Sequence, residues 1–161
     1  MDETLIHCVD DIESENPDVV LSIKFPNGEN VEAGINVRPW ALHCLKEANK
    51  YFQVVVFTAS HKFYADVVLD YLDPKRELIH HRLYRDHCYS TPDGVFIKDL
   101  RIIANRNIKD IVIVDNAVYS FGFQLENGIP IIPFYNNPDD EELKHLVNYI
   151  DCLAFFEDIR D

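Results

Sequence analysis

The sequence predicts an α/β fold: a parallel sheet with helices on both faces and a small β-hairpin inserted near its start. Three observations lead there. Val54–Phe57 and Ile111–Val114 are short runs apolar on both faces, the pattern of parallel strands covered on each side. Stretches with apolar residues at helical spacing alternate with such runs. Polar residues collect where the apolar runs end, at Asp2 and Thr4, at Thr58 and Ser60, and at Asp115 and Asn116. Strand C-termini are where α/β sheets place their sites.

Taken in order, the chain opens on what reads as the C-terminal end of a first strand. An acidic stretch, Asp10 to Asp18, then reads as a solvated loop. Val19–Phe25 and Asn30–Val37 read as two strands joined by Pro26-Asn27-Gly28-Glu29, where Asn-Gly favours a primed turn. Pro39 suits a first helical position, and Trp40, Cys44, Leu45, Ala48 and Phe52 recur at helical spacing. After the Gln53–Phe57 strand, Tyr64, Val67, Val68, Tyr71 and Leu72 predict a helix that stops before Pro74. Lys75 to Tyr89 reads as irregular, and Thr91-Pro92-Asp93-Gly94 as a turn. Val95–Ile97 leads extended into Lys98, and Leu100–Asn107 reads as a short helix. Past the Ile111–Val114 strand, Ile129–Phe134 is an edge strand by its prolines. Asn137 and Pro138 then look like the cap and first residue of a last helix with Leu143, Leu146, Val147, Ile150, Leu153 and Ala154 on its core face.

Composition bounds the rest. The 161 residues fit one domain with a single core, 47% hydrophobic and without repeats or a linker. No apolar run approaches the roughly 20 residues of a membrane span. Cys8, Cys44, Cys88 and Cys152 lie far apart in no paired spacing, so reduced thiols in a nuclear or cytoplasmic protein are expected. A formal charge of −13 disfavours direct binding to nucleic acid, and an anionic substrate would need a locally positive site.

The polar strand ends form a set with one chemistry. Phosphoryl transfer needs oxygen ligands for Mg²⁺, such as Asp115 and Asn116, and a hydroxyl such as Thr58 to hold a phosphoryl oxygen. It also needs a cation such as Lys98 to offset developing charge, and an acid such as Asp2 for the leaving oxygen. Singly each residue has a plainer reading: a helix cap at Thr58, a turn at Asp115-Asn116, a surface lysine at Lys98. Together, in order and at element boundaries, they point to a phosphotransferase-type site.

These residues sit in segments that resemble the small phosphatases acting on the RNA polymerase II C-terminal domain, the NIF or FCP-homology branch of the haloacid dehalogenase superfamily. The segments are Asp2-Glu3-Thr4-Leu5-Ile6-His7, Arg38-Pro39, Phe57-Thr58-Ala59-Ser60, Tyr64-Ala65-Asp66, Leu72-Asp73-Pro74-Lys75, His81 to Cys88, Lys98-Asp99-Leu100 and Asp115-Asn116. The resemblance implies a Rossmannoid haloacid-dehalogenase-like fold and Mg²⁺-dependent removal of phosphate from a phosphoserine or phosphothreonine protein or peptide through an aspartyl-phosphate. It makes Asp2 the general acid/base, whose carbonyl also ligates Mg²⁺. Thr58 and Lys98 then hold the phosphoryl group, with Thr4 part of the substrate-binding motif. Asn116, with Asp115 beside it, ligates the metal, and Arg85 binds the phosphopeptide.

Two departures stand out. The family follows Asp-Asn with Ser-Pro, where this chain has Ala117-Val118. The family's nucleophilic Asp would stand one residue ahead of Met1, so the chain as written is expected to be inactive. Its first, central strand is expected to be cut short, leaving two parallel strands facing a gap and an aggregation-prone product. A non-catalytic module that binds a phosphopeptide or protein partner is the competing reading. Lys75, Arg76, Arg82 and Arg85, with His80, His81 and His87, make a basic island that either steers an anionic peptide or is salt-bridged within the protein. A zinc site at His81, His87 and Cys88 matches no common spacing.

Overall fold

The computed structural model describes residues 1–161 and is a mixed α/β arrangement of four small β systems with helices packed about them. No helix is long and apolar enough to cross a membrane. The first system is antiparallel, ordered β1 (Ile6–Cys8), β3 (Asn30–Val37), β2 (Val19–Lys24). Its hairpin closes through Pro26-Asn27-Gly28, but not by a primed turn. Only Gly28 takes a positive φ, +89°, and its amide bonds the Phe25 carbonyl, as when a type I turn is followed by a left-handed glycine. The acidic stretch expected as loop contains a one-turn helix, α1 (Ile12–Glu15), because the Asp11 carboxylate accepts from the Glu13 amide at its start.

The chain's opening corrects the expected first strand. Met1 to Leu5 is a tight turn in which the amides of Thr4, Leu5 and Ile6 all reach the Met1 carbonyl, with Glu3 at φ 50°. The strand begins only at Ile6 and joins the hairpin system, not the parallel one.

Two parallel pairs follow. The first is β4 (Val55–Phe57) with β5 (His81–Leu83); the second is β8 (Ile113–Asp115) with β9 (Gly128–Pro130). β5 falls inside the stretch expected to be irregular. A His-Arg-Leu strand carries no periodic signal, and it is positioned by Asp73, whose buried carboxylate accepts from the amides of Glu77, Leu78 and Ile79. Between them, β6 (Tyr89–Ser90) and β7 (Phe96–Ile97) form a short hairpin whose turn places Gly94 at φ +81°.

The helices are α2 (Ala41–Ala48), α3 (Lys62–Leu72) and α4 (Glu142–Leu153). α2 and α4 pack together through Ala41, Cys44, Leu143 and Val147, while α3 buries Ala65, Val68, Leu69 and Leu72 in the main core with Ile6, Ile35 and Val56. Three sequence expectations change here. Trp40 and Tyr71 are exposed, so the buried stripes lie one step away from them. The Leu100–Asn107 helix shrinks to a single 3₁₀ turn over Leu100–Ile102. Asn137 caps a turn by accepting from Asp139, and α4 starts four residues beyond Pro138.

β4 pairs only with β5, and β8 only with β9. The edges that remain face a cleft of about 280 Å³, and 19 of its 23 lining residues are hydrophobic. Val54 to Phe57 line one wall, Ile111 to Val114 the other, and Met1 its end. The gap expected between the two apolar strands is present.

Candidate active site

Each polar cluster named by the sequence contributes at least one residue to a single pocket, though Thr4 and Ser60 do not line it and Asp2 sits in a turn and not at a strand end. A pocket of about 270 Å³ is lined by Asp2, Thr58, Lys98, Asp115 and Asn116, together with Met1, Glu3, Ser120 and a wall at Gly94, Val95, Phe96 and Tyr119. Asp2 comes from the opening turn, Thr58 from just past β4, Lys98 from just past β7, and Asp115 from the last residue of β8.

Asp2 is held by hydroxyls. Its Oδ2 accepts from Ser60 Oγ at 2.9 Å and from Thr58 Oγ1 at 3.3 Å, and its Oδ1 accepts from the Tyr64 hydroxyl at 3.1 Å. Burial, and then the negative charge of Asp2, push the Tyr64 phenol far above its ordinary range, so it stays protonated and donates. Thr58 is itself fully buried, and its oxygen also accepts from the Ser60 amide at 3.0 Å. Tyr64 is a neighbour of Asp2 that sequence reasoning missed, while Ser60 was named as a polar strand end but given no role. Tyr64 read as one member of a buried helical stripe, and only its tyrosine hydroxyl distinguished it.

On the opposite side, Lys98 and Asp115 form a buried ion pair. The second Asp115 oxygen accepts from the Ala117 amide at 2.9 Å, which fixes the loop that carries Asn116. Asn116 Oδ1 is only loosely engaged, 3.4 Å from Thr4 Oγ1, and its amide nitrogen lies 3.5 Å from Glu3 Oε2. Thr4 is thus buried behind Asn116 and does not line the pocket, so its expected contact with substrate becomes support for Asn116. The Met1 amine is fully buried at the pocket, and burial, then Lys98, drive its pKa down.

Arg85 stands beside the pocket without lining it. Its Nε donates to the Ala59 carbonyl at 2.5 Å, Nη1 lies 2.9 Å from His61 Nε2, and the guanidinium sits 5.0 Å from the centre of the Phe96 ring. Two of its nitrogens are therefore engaged in shaping the Thr58–His61 turn. Much of the rest of the basic island is exposed but bonded within the protein. Arg82 bridges Asp66 and Asp70, and Arg76 pairs with Asp70. His87 Nδ1 accepts from the Tyr84 amide, and His81 Nε2 lies 3.3 Å from Gln53. No three His, Cys, Asp or Glu side chains converge as a ligand set anywhere, His81, His87 and Cys88 included.

One buried arginine ties this site to the body. Arg38, 1% exposed, makes a two-pronged pair with Asp140 at 2.7 and 2.9 Å and donates to the carbonyls of Ile132, Glu3 and Thr4. It clamps the opening turn to the segment ahead of α4.

Residues 1–160 match the NLI interacting factor-like phosphatase family. The chain belongs to that family. Among curated relatives, it is 39% identical to CTD small phosphatase-like protein 2 of Dictyostelium discoideum over 99% of its own length and 27% of the relative's. It is 36% identical to CTD small phosphatase-like protein 3 of Caenorhabditis elegans over 100% of its length and 55% of that protein's. CTD nuclear envelope phosphatase 1 of Xenopus tropicalis is 32% identical, with 99% of this chain and 67% of that protein covered. The chain thus spans about a quarter to a half of the first relatives' length. The solved structure of Fcp1, described as an essential RNA polymerase II CTD phosphatase, superposes with a TM-score of 0.71 at 20% identity, over 95% of this chain and 48% of that one. That likeness places this NIF-family chain in the haloacid-dehalogenase-like fold.

Proposed function

We propose that the polar pocket binds the phosphoryl group of a phosphoserine or phosphothreonine protein or peptide, and that this domain belongs to an Mg²⁺-dependent phosphatase working through an aspartyl-phosphate. The observation that carries the reading is the convergence of Asp2, Thr58, Lys98, Asp115 and Asn116 on one pocket. Lys98 supplies fixed positive charge to phosphoryl oxygens, and the buried Thr58 hydroxyl a hydrogen bond. Asp2, cradled by three hydroxyls, is placed to hold and return the proton of the leaving oxygen.

The donor chemistry fits Mg²⁺. Asp115, the loosely engaged Asn116 oxygen and the Asp2 carbonyl are hard oxygen ligands. Asp2, Glu3 and Asp115 oppose Lys98, so a phosphate dianion entering here needs added positive charge. When bound, the ion supplies that charge at the phosphoryl oxygens.

Each pocket carboxylate is already engaged: Asp2 by hydroxyls, Asp115 by Lys98 and Ala117, Glu3 by Asn116 and His7. None of them stands two residues before Asp2, where the family's nucleophilic Asp is expected. The 161 residues alone are therefore expected to bind a phosphopeptide and not to hydrolyse it, which also supports the second reading, a non-catalytic phosphopeptide-binding module. The nuclear-envelope naming of relatives supports a nuclear-associated setting.

The test is binding of a phosphoserine peptide in millimolar Mg²⁺, by calorimetry. Asn116→Ala and Lys98→Ala are each expected to weaken it about tenfold or more, since each removes a contact to a charged group worth about 1.5–3 kcal/mol. Well-folded variants that bind as tightly as the parent would sink the assignment.

A further inference from the structure

Beside the phosphoryl pocket stands an apolar wall that the chemistry of phosphate does not use. Phe96 lies on β7 with Val95 just before it and Lys98 just past it, and Tyr119 follows Asn116 in the segment where this chain carries Ala117-Val118 in place of the family's Ser-Pro. All three line the pocket together with Lys98 and Asn116. Tyr119 is 64% exposed and Val95 37% exposed, and no other aromatic ring lies against Tyr119. Phe96 is set in place by Arg85, 5.0 Å from its ring centre. An exposed tyrosine and valine continuous with a charged pocket are surface that a partner bound in the pocket would cover.

We propose that Val95, Phe96 and Tyr119 form a specificity subsite for a large apolar side chain next to the phosphorylated residue of an extended peptide. The inference rests on the phosphoryl-binding reading of the pocket and names the substrate feature that reading leaves open. Spacing supports the position. Phe96 and Lys98 are two residues apart at a strand end, about 6.6 Å along the backbone. A peptide with its phosphate at Lys98 therefore presents a residue one or two positions away to Phe96. A leucine or phenylalanine there buries apolar surface against Tyr119 and Val95, whereas a glycine leaves them in water. Covering on the order of 50–60 Å² of apolar surface corresponds to about tenfold in affinity.

Four dye-labelled peptides test it by fluorescence anisotropy with the 161-residue chain in Mg²⁺: phosphoserine flanked by Phe or by Gly, and the same two unphosphorylated. The phosphorylated Phe peptide is expected to bind about tenfold tighter than its Gly counterpart. Tyr119→Ser, an exposed change that the fold tolerates, is expected to bring the first down to the second. Equal affinity of the two phosphopeptides, both above the unphosphorylated pair, overturns the subsite and leaves the phosphoryl reading standing. A Phe preference that depends on Tyr119 but ignores phosphorylation supports the subsite and removes the phosphoryl reading. Failure of all four peptides to bind at millimolar concentration overturns both.

Discussion

Replacing Arg38 by Ala is the sharpest test of how the site is held. The side chain is fully buried, and its loss strips Asp140, 9% exposed, of its ionic partner. It also orphans donors' places at the carbonyls of Ile132, Glu3 and Thr4. Breaking a buried pair by removing one partner costs about 3–5 kcal/mol. Each buried carbonyl left unpaired would add about 1–3 kcal/mol, less whatever water entering the vacated space recovers. A net loss of about 4 kcal/mol is expected, a large part of a typical domain's 5–15 kcal/mol. At this chain length that corresponds to a drop of roughly 8–16 °C in melting midpoint. Arg38→Lys keeps the charge but not the two-pronged geometry, so an intermediate loss is expected. Because Glu3 and Thr4 flank Asp2 and support Asn116, phosphopeptide affinity should fall further than the fraction unfolded accounts for. Chemical denaturation by urea, with binding measured on the folded fraction, reads both. A loss below 1 kcal/mol would refute the clamp.

Acid should weaken the surface of α3 in a defined window. Burial raises the Asp66 pKa, but the bonds from Lys62, Tyr84 and Arg82 outweigh it and hold it at about 2. Its stabilising effect is therefore fully present above the unfolded value near 3.8 and lost as pH falls through about 2, and Asp66→Asn should flatten that part of the stability–pH curve; an unchanged curve would count against the network. Adding a strand of about five apolar residues ending in Asp ahead of Met1 should raise the melting midpoint by filling the apolar cleft, and should bring Mg²⁺-dependent turnover of a phosphoserine peptide. An unchanged midpoint would mean the cleft does not accept a strand.

The candidate pocket was legible because most of its polar residues lie at strand ends, where a residue's place in the sequence nearly determines its place in space. Thr58 and Asp115 needed only the end of an apolar run to locate them. Lys98 needed the motif as well, since nothing about a lone lysine predicts 6% exposure. Thr4 and Arg85 shared the motif but not the geometry: one is turned behind Asn116, the other is engaged by Ala59 and His61. Short elements were the poorest read. β5 is three residues with no alternation, and α1 one turn set by a single Asp11 cap. Arg38 was quoted only as part of a motif, because the partner that defines it, Asp140, is 102 residues away.

The two cavities explain why the fold and the chemistry cannot be separated here. Met1 lines both of them, the apolar cleft between β4 and β8 and the polar pocket at their C-terminal ends. Thr58, just past β4, and Asp115, the last residue of β8, line the same polar pocket, so the two strands' C-terminal ends open to the same side. A strand lying between them and running the same way would be sealed by apolar side chains along its length. Its last residue would emerge at Met1, between Asp2, Lys98 and Asp115. The side chain it carried there would enter the polar pocket beside Lys98 and Asp115. Filling the cleft and supplying a nucleophile are then one event, so stability and turnover should rise together in a variant whose added strand ends in Asp, and stability alone in one whose strand ends in Ala.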